Sequence, residues 1–355
     1  MNGVLLVTGG CGFVGSSLCI LLKANYPQLQ VLAFDNLKRR GSELNLERLK
    51  PLGISFIHGD IRNKEDFDQI GKIDFLIDAA AEPSVLAGTD DSVDYVINTN
   101  LIGTVNCLNF AVKHKALFIF LSTSRVYPFE TLDRLSYAES ETRFNLLPDQ
   151  LISGFSQLGI GEDFPLTGAR SFYGATKLSS ELLIAEYVEF LGLKAIINRC
   201  GVLTGPWQMG KVDQGVVVLW MARHYWKKNL TYNGYGGQGK QVRDLLHVND
   251  LFNLIEYQLQ NPSHLIGKTL NVGGGLDSSI SLKELTTMCE KITGNTISIP
   301  SVPENRKADV RIYVTDNTEV TRLTGWKPTY TVEQILVEIY DWIRLNEEKL
   351  SKILN

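Results

Sequence analysis

Short, nearly continuous apolar runs recur through the first two hundred residues: Val4 to Val7, Val31 to Phe34, Ile54 to His58, Ile73 to Asp78, Leu117 to Leu121 and Lys194 to Asn198. Each has the length of a strand and is too short for a helix. Between them lie longer stretches of helical character, including Val93 to His114 and Tyr173 to Leu191. Strands that are apolar on both faces, alternating with helices, predict a parallel sheet covered on both sides. Beyond residue 200 the pattern loosens. Gly201 to Gly239 is rich in glycine and aromatics, with one helix predicted from about Gly215 to Lys227. His247 to Gln260 then reads as a helix, Thr269 to Val272 as a strand, and Ser281 to Leu350 as helices separated by Pro300, Pro303 and Pro328.

The first apolar run passes directly into Thr8-Gly9-Gly10-Cys11-Gly12-Phe13-Val14-Gly15, with Gly9, Gly12 and Gly15 spaced three apart. A strand turning sharply into a helix leaves backbone N–H groups directed outward, where they hold a pyrophosphate at the positive end of the helix dipole. Gly9 suits the tight turn, Gly12 the approach of the phosphates and Gly15 the packing of helix on sheet. A plain glycine turn is the rival reading. The second strand tips the balance, because it ends in Asp35, twenty residues after Gly15, where a carboxylate meets a ribose diol. A carboxylate there repels a 2′-phosphate, so NAD is favoured over NADP. Lys38, Arg39 and Arg40 could instead bind a phosphate, although such a charge run more often faces water. In parallel sheets ligands gather at the carboxyl ends of the strands. Gly9, Asp35, Asp60, Ala79 to Ala81, Thr123 and the loop after Arg199 all stand at such ends. The fold class is therefore α/β, a Rossmann-type doubly wound parallel sheet with a smaller, discontinuous C-terminal lobe. The expected boundaries are 1–200 plus 244–275 for the NAD-binding domain and 201–243 plus 276–355 for the substrate lobe.

Tyr173 and Lys177 lie four apart, so on a helix they share one face. An ammonium beside a phenol favours the phenolate and readies it for proton transfer. That spacing alone also suits an ordinary amphipathic helix, and only the glycine run upstream makes it informative. Thr123, closing the fifth strand, can bond a substrate hydroxyl and the tyrosine oxygen, with Ser122 and Ser124 as neighbours able to share the work. A simple strand cap is the competing reading.

Composition narrows the class further. The 355 residues carry a formal charge of −4 and are 44% hydrophobic and 21% charged, which gives no reason to expect nucleic acid or a membrane as partner. With a strand starting at Val4 no signal peptide is expected, and no apolar run approaches a membrane span. Cys11, Cys19, Cys107, Cys200 and Cys289 are scattered without metal-ligand spacing, as in a reducing, cytoplasmic setting. No metal is expected.

Thr8 to Gly15, Asp60-Ile61, Asn100-Leu101-Ile102-Gly103-Thr104 and Tyr173 to Lys177 resemble the extended short-chain dehydrogenase/reductase family that acts on nucleotide sugars, and the likeness covers nearly the whole chain. Phe34 to Leu37, His58 to Lys64, Asp213-Gln214-Gly215 and Gly239 to His247 resemble the CDP-paratose (CDP-tyvelose) 2-epimerase branch in particular. The resemblance implies a two-lobed enzyme that holds NAD, oxidises one sugar carbon and returns the hydride to its other face. It implies Gly9, Gly12, Phe13, Val14, Gly15, Asp35, Asn36, Asp60, Ile61, Ala79, Ala80, Ala81, Asn100, Ser122, Tyr173 and Lys177 around the cofactor. Thr123, Tyr173 and Lys177 would be catalytic. Ser124, Arg125, Arg199, Gln208, Gln214, Arg243 and Arg306 would meet the nucleotide sugar, the last two at its diphosphate. By the same likeness the helices over Val93 to His114 and Tyr173 to Leu191 would pair two copies, giving a homodimer or homotetramer.

The chain departs from that branch at several points. Thr123-Ser124-Arg125-Val126-Tyr127-Pro128 replaces the usual Thr-Asn-Lys-Val-Tyr-Gly, Arg199-Cys200-Gly201-Val202 replaces Arg-His-Ser-Ser, Thr204 replaces a tyrosine and Asp78 a common histidine. The stretch from Phe144 to Arg170 is either a lid over the sugar or a tolerated surface insertion. A dehydratase or decarboxylase would carry an acidic residue after Thr123, where Ser124-Arg125 stands. A 4-epimerase needs only Thr, Tyr, Lys and NAD and is the runner-up. A non-catalytic NAD-binding regulator is the reading from another class.

Overall fold

The computed structural model describes residues 1–89, 92–210 and 214–354. They fall into two units, Met1–Val126 with Phe172–Arg199 and Phe252–Leu270, and Tyr127–Ser171 with Cys200–Leu251 and Asn271–Asn355. The first is built on a seven-stranded sheet of β1 (Val4–Thr8), β2 (Gln30–Asp35), β3 (Ser55–His58), β4 (Phe75–Asp78), β5 (Leu117–Thr123), β6 (Ala195–Cys200) and β7 (Thr269–Val272). Its order is β3-β2-β1-β4-β5-β6-β7, and the pairings from β3 through β5 are parallel. The order reverses at β1, which opens a crevice at the carboxyl ends of β1 and β4. Helices α1 (Phe13–Asn25), α2 (Gly103–His114) and α3 (Phe172–Leu191) accompany the sheet.

The expected alternation is thus realised, and for the expected reason. Every residue of β5 is buried, so the strand has no polar face to show in sequence. Leu6, Phe34, Leu76, Phe118, Phe120 and Ile197 from the strands share one core cluster with Leu108, Phe110 and Ile184 from α2 and α3. The stretch from Val93 to His114 is not one helix. It runs as Val93–Ile97, a π-helical turn at Asn98–Ile102, and then α2. Such wide turns cluster at functional positions, and this one contains Asn100, which is wholly buried.

The second unit has a four-stranded sheet. Val242–His247 pairs in parallel with Val202–Thr204 and Ile312–Tyr313, and antiparallel with Ser279–Ser281. Helices Leu282–Thr293 and Val332–Leu345 begin at capping boxes, Ser281 with Glu284 and Thr331 with Gln334. The unit boundaries differ from the expected ones: 127–171, Cys200, 244–251 and 271–275 group with the second unit. For 244–247 the reason is that this segment belongs to the central strand of the second sheet.

For 127–171 the reason lies in its anchors. Its hairpin Tyr137–Glu139/Phe144–Leu146 bonds through the Phe144 N–H to the Lys240 carbonyl at 3.1 Å, and Ile160 N–H bonds to the Val314 carbonyl at 2.8 Å. The Arg311 guanidinium stacks on Tyr137 at 4.3 Å and Tyr235 at 4.8 Å, while its Nη1 bonds the Asp133 carbonyl at 3.2 Å. The same segment borders a largely apolar, partly open cavity of about 370 Å³ whose lining includes Phe144, Leu146, Phe155, Val242, Ile312 and Val314. Between the two readings of the 144–170 stretch, these contacts describe a segment folded onto its own unit.

Candidate active site

The glycine turn is shaped by close approach. Gly9 has φ 62°, and a Cβ there would come within 2.9 Å of the Ala79 carbonyl and Ala80 Cα after β4. A Cβ on Gly15 would fall 2.1 Å from the Gly9 carbonyl, so only glycine lets α1 start so near the turn. A Cβ on Gly12 would meet only the Gly9 carbonyl, at 3.1 Å, and would otherwise project into open space before the first turn of α1. That turn starts with half-buried Phe13 and Val14 and has no side-chain cap and no acidic residue. Its open N–H groups and dipole therefore await an anion.

Asp35 ends β2 half-buried and accepts N–H bonds from Cys11 at 3.0 Å and Leu37 at 2.7 Å. Burial pushes its carboxyl up, and those two bonds oppose the shift. Asn36 donates to Asp60 at 2.9 Å, and Arg62 grips Asp60 with its Nε at 2.9 Å and its Nη2 at 2.6 Å. Burial alone would raise the Asp60 carboxyl, but the hydrogen bonds from Arg62 and Asn36 outweigh it and hold the group at about 2. Lys38 lies over the Tyr95 ring at 3.4 Å. Ile61 belongs to the core and sits against Gly103, where a Cβ would meet its Cδ1 at 2.5 Å.

Past β4, half-buried Ala79, Ala80 and Ala81 line the crevice. Asp78, fully buried, accepts hydroxyl bonds from Thr8 at 2.6 Å and Thr104 at 3.0 Å, which ties β1 and α2 to β4. Asn100 accepts from the Glu82 N–H at 2.7 Å and donates to the Glu82 carbonyl at 3.0 Å and to Thr176 at 3.3 Å. Its amide is enclosed and engaged, so Asn100 holds the loop after β4 against the helix that carries Thr176.

Tyr173 stands half-buried in the first turn of α3, and Lys177 one turn on is almost fully buried. The Lys177 ammonium donates to the Leu121 carbonyl at 2.9 Å and lies 4.3 Å from the Phe120 ring centre. It therefore ties the tyrosine's helix to the strand end that carries buried Thr123, whose hydroxyl accepts the Arg125 N–H at 3.2 Å. Ser124 and Arg125 follow in a half-buried turn. Ser122 was expected at the cofactor and Arg199 at the nucleotide sugar, and the structure gives them a shared protein partner. Both are buried, and both bind Glu181, Ser122 by its hydroxyl and Arg199 through Nε at 3.0 Å and Nη2 at 2.7 Å. Removing one member of such a buried pair typically costs about 3–5 kcal/mol.

The second unit holds the remaining candidates. Gln208 donates to the Leu203 carbonyl at 2.8 Å and accepts from the Thr204 hydroxyl at 3.1 Å. Gln214 is half-buried just before the Val216–Tyr225 helix. Asp213, quoted with it in the resemblance, lies outside the described residues. Arg243 donates to Asp309 at 3.2 Å and to the Val242 carbonyl at 2.8 Å, so its charge already has a carboxylate. Half-buried Arg306 has no ion-pair partner among the described residues.

Residues 5–273 match the NAD dependent epimerase/dehydratase family. The chain belongs to that family. It is 31% identical to the CDP-paratose 2-epimerase of Salmonella typhi, over 95% of this chain and 98% of that one. It is also similar to the crystal structure of dTDP-glucose 4,6-dehydratase from Bacillus anthracis str. Ames in complex with NAD, with a TM-score of 0.76, 26% identity and 99% of each chain covered. A UDP-glucuronic acid 4-epimerase mutant from Bacillus cereus, solved with a UDP-4-deoxy-4-fluoro-glucuronic acid and NAD, gives a TM-score of 0.76 at 26% identity over 96% of this chain and 99% of that one.

This epimerase/dehydratase is an NAD-dependent enzyme, and its first unit fits the cofactor on geometry alone. The open cradle before α1 matches a pyrophosphate, and the Asp35 carboxylate, with about four acceptor sites, retains capacity beyond its N–H bonds from Cys11, Leu37 and Gly12. Sequence reasoning missed Glu181, which Ser122 and Arg199 share as a partner. The available signal was Arg199, a charge near the end of the apolar run Ala195-Ile196-Ile197-Asn198, since a charge in a buried strand requires a partner. Among the described residues no helix is long and apolar enough to cross a membrane.

Proposed function

We propose that this enzyme inverts one carbon of a nucleotide sugar, C2 of a CDP-sugar, by transient oxidation to a ketose and return of the hydride to the opposite face. The observation that carries the reading is the pairing of the Tyr173–Lys177 turn with a strand end, Thr123-Ser124-Arg125, that lacks a carboxyl group. Dehydration requires an acid to protonate the departing hydroxyl, and none follows Thr123. Similarity at 31% to a CDP-paratose 2-epimerase supports C2 and a CDP-sugar. Inversion at C4 of a UDP-sugar is the second reading, supported by similarity to a UDP-glucuronic acid 4-epimerase.

Tyr173 takes the proton of the sugar hydroxyl while Thr123 holds that oxygen, and the same proton returns when the hydroxyl re-forms on the inverted carbon. The buried Lys177 ammonium stabilises the phenolate between those events. Bound NAD supplies a hydride acceptor that becomes the donor, so none is consumed. Gly9, Gly12, Gly15, Phe13 and Val14 would hold its pyrophosphate, Asp35 its ribose, and Asp60, Ile61 and Ala79 to Ala81 its flanks. Arg306 would meet the sugar diphosphate as a bidentate fork, and Gln208, Gln214, Arg243, Ser124 and Arg125 are the further residues proposed to contact the nucleotide sugar. Exposed Leu182, Phe190 and Leu191 on α3, with Ile97 and Ile102, support a homodimer through these helices. Five free, buried thiols support a cytoplasmic setting. NMR of products from CDP-, UDP-, GDP- and dTDP-sugars tests the assignment: an epimer from a CDP-sugar upholds it, and an unsaturated or dehydrated product overturns it.

A further inference from the structure

Building on the epimerase reading, we propose that Glu181, clamped by Arg199, is a positioning residue that fixes the register of α3 on β5 and thereby sets Tyr173 for proton transfer. Tyr173, Lys177 and Glu181 are spaced four apart, so they form one stripe along α3. Two members of the stripe reach consecutive residues of β5. Lys177 bonds the Leu121 carbonyl at 2.9 Å, and Glu181 accepts the Ser122 hydroxyl. The next residue along β5 is Thr123. Arg199, near the end of β6, closes the arrangement from the adjacent strand with two nitrogens on the Glu181 carboxylate.

The surroundings explain why polar groups hold this place. Ser122, Glu181 and Arg199 are 4%, 5% and 6% exposed, so none is presented to a ligand. Apolar side chains tolerate a small slide of helix over strand, whereas a forked ion pair with a third hydrogen bond specifies one register. A slip of one residue shifts a helical side chain by about 1.5 Å along the axis. Misplacement of about 1 Å can cost 100-fold in rate.

The test is the double variant Glu181→Leu/Arg199→Met, which removes the network without leaving a buried charge alone and so preserves folding. NAD affinity and sugar KM are expected within about threefold of wild type, with kcat lower by about 10- to 100-fold. Glu181→Asp, retaining the charge on a shorter arm, should fall between. Should the double variant fail to accumulate, Glu181→Gln is read in the same way. Crystal structures supply a readout independent of turnover, in which α3 has shifted on β5 and the Lys177–Leu121 bond is broken. A stable double variant with wild-type kcat, or one whose α3 has not moved, overturns the proposal. If wild type itself converts no nucleotide sugar, the epimerase reading falls, and the crystallographic register still decides this one.

Discussion

The two units treat charge differently. In the first, beside the Arg62–Asp60 pair, charged groups hold backbone and register: Asp35 fixes the turns at Cys11 and Leu37, Lys177 binds a strand carbonyl, and the Glu181–Arg199 pair joins α3 to two strands. In the second, cations pair with nearby carboxylates, Arg243 with Asp309, Lys240 with Glu139 and Arg143 with Glu284, while Arg306 has no such partner among the described residues. A site made from strand ends and turns is determined by the fold that sequence periodicity reveals. A site made from long side chains depends on which neighbours neutralise them, and those neighbours are remote in sequence.

Four experiments bear on this contrast, beginning with the largest effect. Tyr173→Phe should lower kcat by about 10²- to 10⁴-fold with NAD affinity unchanged, as calorimetry and steady-state rates would show. Near-normal turnover would remove the first unit's claim to the chemistry. Asp35→Asn should weaken NAD by about 1.5–3 kcal/mol, since hydrogen bonds to a charged group are lost. It should weaken NADP less, and wild-type protein preferring NADP would reverse the assignment.

The third experiment sharpens the contrast between the arginines. Arg306→Ala should raise the KM for the nucleotide sugar about tenfold at constant melting temperature, a loss of about 1.4 kcal/mol of binding. Arg243→Ala should instead lower melting temperature, because Asp309 loses its partner. Equal effects on KM would make both arginines ligand contacts.

The smallest effect concerns pH. Burial holds His247 down at about 4, against Tyr330 at 4.0 Å between ring centres; Glu338, 3.2 Å from its Nε2, is 42% exposed and too well solvated to reverse this. The unfolded chain binds a proton near its ordinary value of 6.5 and the folded chain does not, so stability falls as pH drops from 6.5 toward 4. Asp60, held at about 2, contributes stability present above its ordinary 3.8 and lost as pH falls below it. Melting curves of His247→Phe and Asp60→Asn should flatten those separate windows, and a single shared window would contradict the assignment.

The first sheet was legible because its strands are buried on both faces and read as unbroken apolar runs, β5 most clearly. The glycine turn and Asp35 were legible because their spacing follows from one strand–helix–strand unit. The second sheet was not, since Ile312–Tyr313 and Ser279–Ser281 are too short for periodicity to register. The bonds of Asn100 to Glu82 and Thr176 were not legible, because it sits in a π-helical turn that a helical period does not register. Ser122 and Arg199 were read near strand ends, where the structure has them, but their common bond to Glu181 was not legible. Their shared partner, Glu181, lies 59 and 18 residues away, a pairing that only the folded chain reveals.

The most direct test of the oxidation-and-return chemistry is to supply a nucleotide sugar carrying deuterium on the carbon to be inverted and to follow it by NMR and mass spectrometry in ordinary water. Transient oxidation at that carbon predicts an epimer of unchanged mass that keeps its deuterium. Loss of the label to solvent, or a product lighter by one water, would contradict it.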